Sequence, residues 1–123
     1  MRVALVIEDN EDNQVLICAL LQHGGYQTCV APNGLLGVQM ALQMQPDLVI
    51  LDIQLPDMDG TEVLRRIRAT GALGQMPVIA MTSYAMTGDR ARLLEAGCNG
   101  YIEKPIDTRR VLNQIREILK ESL

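Results

Sequence analysis

The segment Leu48-Val49-Ile50-Leu51, apolar at every position and stopped by Asp52, constrains the fold of this chain most. A strand with no polar face has no side to offer to water, so other layers must cover it above and below, as helices do in a parallel sheet. Three further short runs share this form: Val3–Ile7 stops at Glu8-Asp9, Pro77–Met81 at Thr82-Ser83, and Gly100–Glu103 at Lys104-Pro105. Tyr26–Ala31 reads as one more strand.

Helical spacing fills the intervals. Val15, Leu16, Ala19 and Leu20 recur at helical period until Gly24-Gly25. Pro32-Asn33-Gly34 turns into a helix bearing Leu35, Leu36, Val38, Met40, Ala41, Leu42 and Met44, with Gly37 as a weak spot inside it and Pro46 as its stop. Val63, Leu64 and Ile67 form an inward stripe, with Arg65, Arg66 and Arg68 facing out. Ala85–Ala96 reads as a helix closed by Gly97, and Val111, Leu112, Ile115, Ile118 and Leu119 mark the last one. Strands alternating with helices require right-handed crossovers and a parallel sheet, which predicts a doubly wound α/β fold with its ligand site outside the carboxyl ends of the strands. Acids, a hydroxyl and an ammonium then converge on one edge.

A length of 123 residues with 48% apolar side chains fits one domain spanning 1–123 and leaves no room for a second, output domain. No apolar stretch approaches the ~20 residues that span a bilayer, and no secretory leader is visible, so the expectation is a cytoplasmic protein with no membrane partner. Cys18, Cys29 and Cys98 are odd in number and in no CxxC spacing, and read as small buried hydrophobes rather than a disulfide or zinc set. The net charge of −4 offers no footprint for direct DNA binding. Instead Glu8, Asp9, Glu11 and Asp12 crowd one strand end and Asp52, Asp57 and Asp59 the next, which calls for a cation.

Four motifs in order, V-A-L-V-I-E-D-N (3–10), L-V-I-L-D-I-Q-L-P-D-M-D-G (48–60), V-I-A-M-T-S-Y-A-M (78–86) and G-C-N-G-Y-I-E-K-P-I (97–106), resemble the receiver domain of two-component response regulators. The likeness covers the whole chain and is closest to stand-alone receivers and those of hybrid sensor kinases. It implies the flavodoxin-like strand order 2-1-3-4-5 and a phosphoacceptor role for Asp52. A carboxylate attacks phosphorus poorly because both reactants are anionic, and like charges this close cost about 4 kcal/mol per pair at an effective dielectric near 20. A divalent cation and donors aimed at the phosphoryl oxygens are therefore needed.

By resemblance, Mg²⁺, with Mn²⁺ as a substitute, is coordinated by Asp9, Asp52 and the backbone carbonyl of Gln54, with Glu8 acting through water. Lys104 pairs with the acyl phosphate, Thr82 donates its hydroxyl, small Ser83 admits backbone amides, and a cis bond to Pro105 directs Lys104. Tyr101 is the switch that follows Thr82, while Gln54 and Tyr84 flank the phosphate and set its lifetime. The implied partners are a histidine kinase or histidine phosphotransferase, docking through Asn13, Gln14, Ile17 and Ile106, and a downstream protein target. The chain itself is expected to be a monomer or weak dimer. His23, at a helix end, complements the helix dipole rather than donating phosphate. Asp57 and Asp59 read as solvated loop acids that help Gly60 turn into the third helix.

Two other classes fit less well. An aspartate-nucleophile phosphatase needs a second acid two residues on to protonate the leaving group, and that position is Gln54. A scaffold that is never phosphorylated has no need to keep Glu8, Asp9, Asp52, Thr82 and Lys104 together.

Overall fold

A computed structural model describes residues 2–71, 74–83 and 89–121. Five strands, β1 (Arg2–Ile7), β2 (Tyr26–Ala31), β3 (Leu48–Asp52), β4 (Val78–Thr82) and β5 (Gly100–Glu103), alternate with five helices, α1 (Glu11–His23), α2 (Gly34–Met44), α3 (Gly60–Ala69), α4 (Asp89–Ala96) and α5 (Val111–Glu121). The strands form one parallel sheet in the order β2-β1-β3-β4-β5. This is the flavodoxin-like arrangement the sequence implies.

Strand side chains alternate between two cores, as the two-residue period demands. Leu5, Ile7, Val49 and Leu51 pack on one face with Val38 and Ala41 of α2, Val63, Leu64 and Ile67 of α3, and Leu93 of α4. Ala4, Val6, Leu48 and Ile50 pack on the other with Ile17 and Leu21 of α1 and Val111 and Ile115 of α5. Every residue of β3 and β4 is buried, because helices cover both faces of these strands.

Several sequence expectations shift. Strand β4 runs one residue further than Met81, so Thr82 is its last member. Residues 85–88 of the expected fourth helix, and Tyr84 before them, lie outside the described residues. In α1 the buried face is Ile17 and Leu21, while Val15 is 71% exposed. The phase is set by Asn10, whose side chain accepts from Asn13 N and starts the helix at Glu11.

Gly37 is a close-approach site rather than a weak spot, since a Cβ there would lie 2.6 Å from Ile7 Cδ1. Its hydrogen lets α2 lie against β1, and Leu35, Leu36 and Leu42 consequently turn outward. Arg68 does not face out with Arg65 and Arg66. Its guanidinium turns in, donating to the carbonyls of Gly97 and Met76 at 3.0 and 2.6 Å and to Asn99 Oδ1 at 2.9 Å.

Candidate functional site

Strand pairing alone brings the polar ends together. Ile7 is in register with Leu51 across β1 and β3, so Glu8 and Asp52 leave the sheet side by side. Asp52 in turn pairs with Met81, and Thr82 with Glu103. The ladder continues a step past the strands through Ile53 N to Met81 O at 3.1 Å and Lys104 N to Thr82 O at 2.9 Å. Backbone hydrogen bonds thus hold the start of the loop after Asp52, and Lys104, against their neighbours.

The side chains then meet. Lys104 Nζ lies 2.9 Å from Asp52 Oδ1 and 3.9 Å from Glu8 Oε2. Gln54 N donates to the same Asp52 Oδ1 at 3.0 Å. Glu8, Asp52 and Thr82 are almost wholly buried, whereas Asp9 is exposed. One carboxylate oxygen from each of Glu8, Asp9 and Asp52 lies within 4.8 Å of the others. Because Asn10 is the helix cap, Asp9 is not the cap of α1.

Glu8 is the most constrained of the acids. Asn13 Nδ2 donates to its Oε1 at 3.0 Å and Gln14 Nε2 to its backbone carbonyl at 2.6 Å, yet buried Oε2 accepts no hydrogen bond from any described residue. Burial, and after it the neighbouring Asp52 carboxylate, push the Glu8 carboxyl up to about 7, against the opposing pull of Asn13 and Lys104. Three clustered acids face one ammonium, so the cluster carries excess negative charge beside an oxygen lone pair with no donor. That is a fit for a hard cation with oxygen ligands.

The remaining expected residues fall around this centre. Gln54 is exposed and forms an isolated antiparallel bridge with Asp59. Ser83 is exposed at the end of β4, and the Lys104–Pro105 peptide bond is cis. Tyr101 is half-buried, with the Arg90 guanidinium 5.6 Å from its ring centroid. Tyr84, expected beside the phosphate, lies outside the described residues. His23 ends α1 and is exposed.

Beside the acids runs a groove of about 350 Å³ lined by Asn13, Leu16, Ser83, Lys104, Pro105 and Ile106. Ile17, expected on this surface, is 3% exposed and belongs to the core. Leu16 takes its place, because the helix phase set by Asn10 turns position 17 inward. Gln14 is committed to the Glu8 carbonyl. Asp57 has a task that spacing did not reveal: its carboxylate accepts from Gly34 N and Leu35 N at 2.8 and 2.9 Å. The hydrogen bond from Gly34, then that from Leu35, hold this carboxyl below its ordinary range. Asp59 caps α3 through Thr61 N and stands 3.6 Å from Arg92.

The response regulator receiver domain family matches residues 4–116 of this chain. The chain belongs to that family. The polar-differentiation response regulator DivK of Brucella anthropi is 39% identical over 118 residues, 96% of either chain. Among solved structures, the receiver domain of a sensor histidine kinase of Pseudomonas aeruginosa PAO1 is 33% identical with a TM-score of 0.87, covering 97% of this receiver and 98% of its own chain. That structure carries a magnesium ion coordinated in its active-site cleft. A CheY-like receiver of Methanospirillum hungatei JF-1 is 30% identical with a TM-score of 0.88, covering 99% and 96%. No helix among the described residues of this receiver is long and apolar enough to cross a membrane.

Proposed function

We propose that this receiver takes a phosphoryl group onto Asp52 from the phosphohistidine of a partner kinase or phosphotransferase, and presents the altered surface to a downstream protein. The observation that carries the reading is the pair of buried Asp52 and half-buried Lys104 at 2.9 Å, beside a buried Glu8 oxygen with no hydrogen-bond donor among the described residues. A structural ion pair would have its lone pairs satisfied. This one leaves room for more positive charge.

In the transfer, a carboxylate oxygen of Asp52 forms a bond to phosphorus as the N–P bond of the donor breaks, and the electron pair returns to the imidazole nitrogen. Lys104, already within reach of Asp52, shifts its hydrogen bonds to the phosphoryl oxygens. Thr82, at the end of the next strand, donates its hydroxyl to another of them. Ser83 is small enough to let amides approach. Asp9, Asp52 and the Gln54 carbonyl would hold Mg²⁺, with Glu8 acting through water, and the ion supplies charge neutralisation at the phosphoryl group. The groove through Leu16 and Ile106 seats the donor domain.

Such a protein is no enzyme on external substrates. It promotes one transfer onto itself by position and electrostatics. Incubation with acetyl phosphate and Mg²⁺ followed by intact mass tests this. One added phosphoryl group, lost in Asp52→Asn and with EDTA, is expected. No adduct, or an adduct that persists in Asp52→Asn, would overturn the reading.

A further inference from the structure

The Asp52 carboxylate is connected to Tyr101 by a route that does not pass through Thr82. Asp52 Oδ1 accepts from Gln54 N at 3.0 Å. Gln54 is bridged to Asp59 across the loop, and Asp59 Oδ1 lies 3.6 Å from Arg92 Nη1. Arg92 sits on α4 two residues after Arg90, whose guanidinium lies over the Tyr101 ring at 5.6 Å. Residues two apart on a helix point to different sides. The first half of α4 is therefore held from both sides, by the loop that follows Asp52 and by the tyrosine of β5.

Resting on the phosphoacceptor reading, we infer that Arg90 and Arg92 are positioning residues that carry the state of Asp52 to Tyr101 through α4. The physical reason lies in the acceptor. A carboxylate accepts charge-assisted hydrogen bonds, roughly twice as strong as neutral ones. Phosphorylation moves the negative charge from the carboxylate oxygens to the phosphoryl oxygens beyond them, so the acceptor in front of Gln54 N changes place while Lys104 turns to the phosphate. The Gln54–Asp59 bridge transmits a change at Gln54 to Asp59, and the Arg92 ion pair transmits it to α4. Arg90 then alters its seat on Tyr101, biasing the ring between its outward and inward positions.

Arg92 and Asp59 are each about half exposed, 47% and 52%, so the contribution is that of a surface pair and not of a rigid rod. It biases an equilibrium that Thr82 also acts on.

The test is a double-mutant cycle read by NMR, with Mg²⁺ and beryllofluoride as the phosphoryl mimic. Asp59→Asn removes the charge and keeps a side chain favoured as a helix cap. Arg92→Gln removes the guanidinium. Each variant is expected to shift the inward-to-outward population of Tyr101 in the mimic-bound state by about two- to five-fold, the range of an exposed pair, with the double variant no worse than either single. Arg90→Gln should do the same without moving the Asp59 signals. Tyr101 populations equal to those of the unsubstituted protein in all variants, or additive effects in the cycle, would overturn this route alone. If the unsubstituted protein shows no response at Tyr101 to the mimic, the switching reading itself falls.

Discussion

Two half-buried cations, Arg68 and Lys104, sit at opposite ends of this sheet, and they are bonded in different ways. Among the described residues Arg68, near the amino ends of β4 and β5, donates to neutral oxygens: the carbonyls of Gly97, Met76 and Gly74 and the amide of Asn99, which also accepts from Val78 N at 2.8 Å. It staples the end of α3 to two loops. Lys104, at the carboxyl ends, faces two carboxylates, one of which has an oxygen that no described residue hydrogen-bonds. A satisfied buried cluster makes a fold, whereas an under-bonded, charge-unbalanced one makes a site.

Breaking the Arg68 staple should have the largest effect on stability. Arg68→Met keeps the aliphatic stem but leaves its carbonyl partners without that donor, and is expected to cost about 2–3 kcal/mol in urea unfolding. The folded fraction should still be phosphorylated by acetyl phosphate. Full stability in Arg68→Met would dissolve the contrast between the two ends.

Glu8 sharpens the contrast from the other side. Its folded carboxyl titrates near 7 against an ordinary 4.5, so the folded chain binds this proton more tightly than the unfolded one. That favourable term is complete below pH ~4.5 and is lost as pH rises toward 7. Without a divalent cation, stability should fall over this window by up to about 3 kcal/mol. In Glu8→Gln that slope should vanish, while the affinity for Mg²⁺ drops. A wild-type slope in the variant would show that the titration belongs to another group.

The smallest effect is expected at Arg65, an exposed neighbour of Arg68 whose partner is Glu62 on the same helix. Arg65→Ala should leave both unfolding and phosphorylation unchanged. A loss as large as that of Arg68→Met would show that the three arginines of α3 act as one patch.

The sequence legibly encodes what depends on local pattern. Apolar runs ending in Asp9, Asp52, Thr82 and Lys104 are one-dimensional signals, and parallel pairing does the rest. Arg68, Asp57 and Ile17 were not legible for a common reason: each is defined by a partner far away in sequence or by a helix phase. Nothing in R-R-I-R separates the arginine that finds carbonyls of the 74–76 loop and Gly97 from its neighbours in water. Asp57 reads as a loop acid until α2 starts beside it. The phase of α1 was available in Asn10, a good cap three residues before Asn13, but Asp9 competes for the same role on composition alone.

The turn after Asp52 is closed on itself, with Gly60 N donating to Ile53 O at 2.8 Å just outside the Gln54–Asp59 bridge. A Cβ at position 60 would lie 2.6 Å from the Ile53 Cα. The span from 53 to 60 is thus a ring of fixed circumference. The ring ties the Gln54 backbone to the start of α3, so any side chain at position 60 would spread the loop at its foot, against the Asp52 carbonyl, and not at its tip.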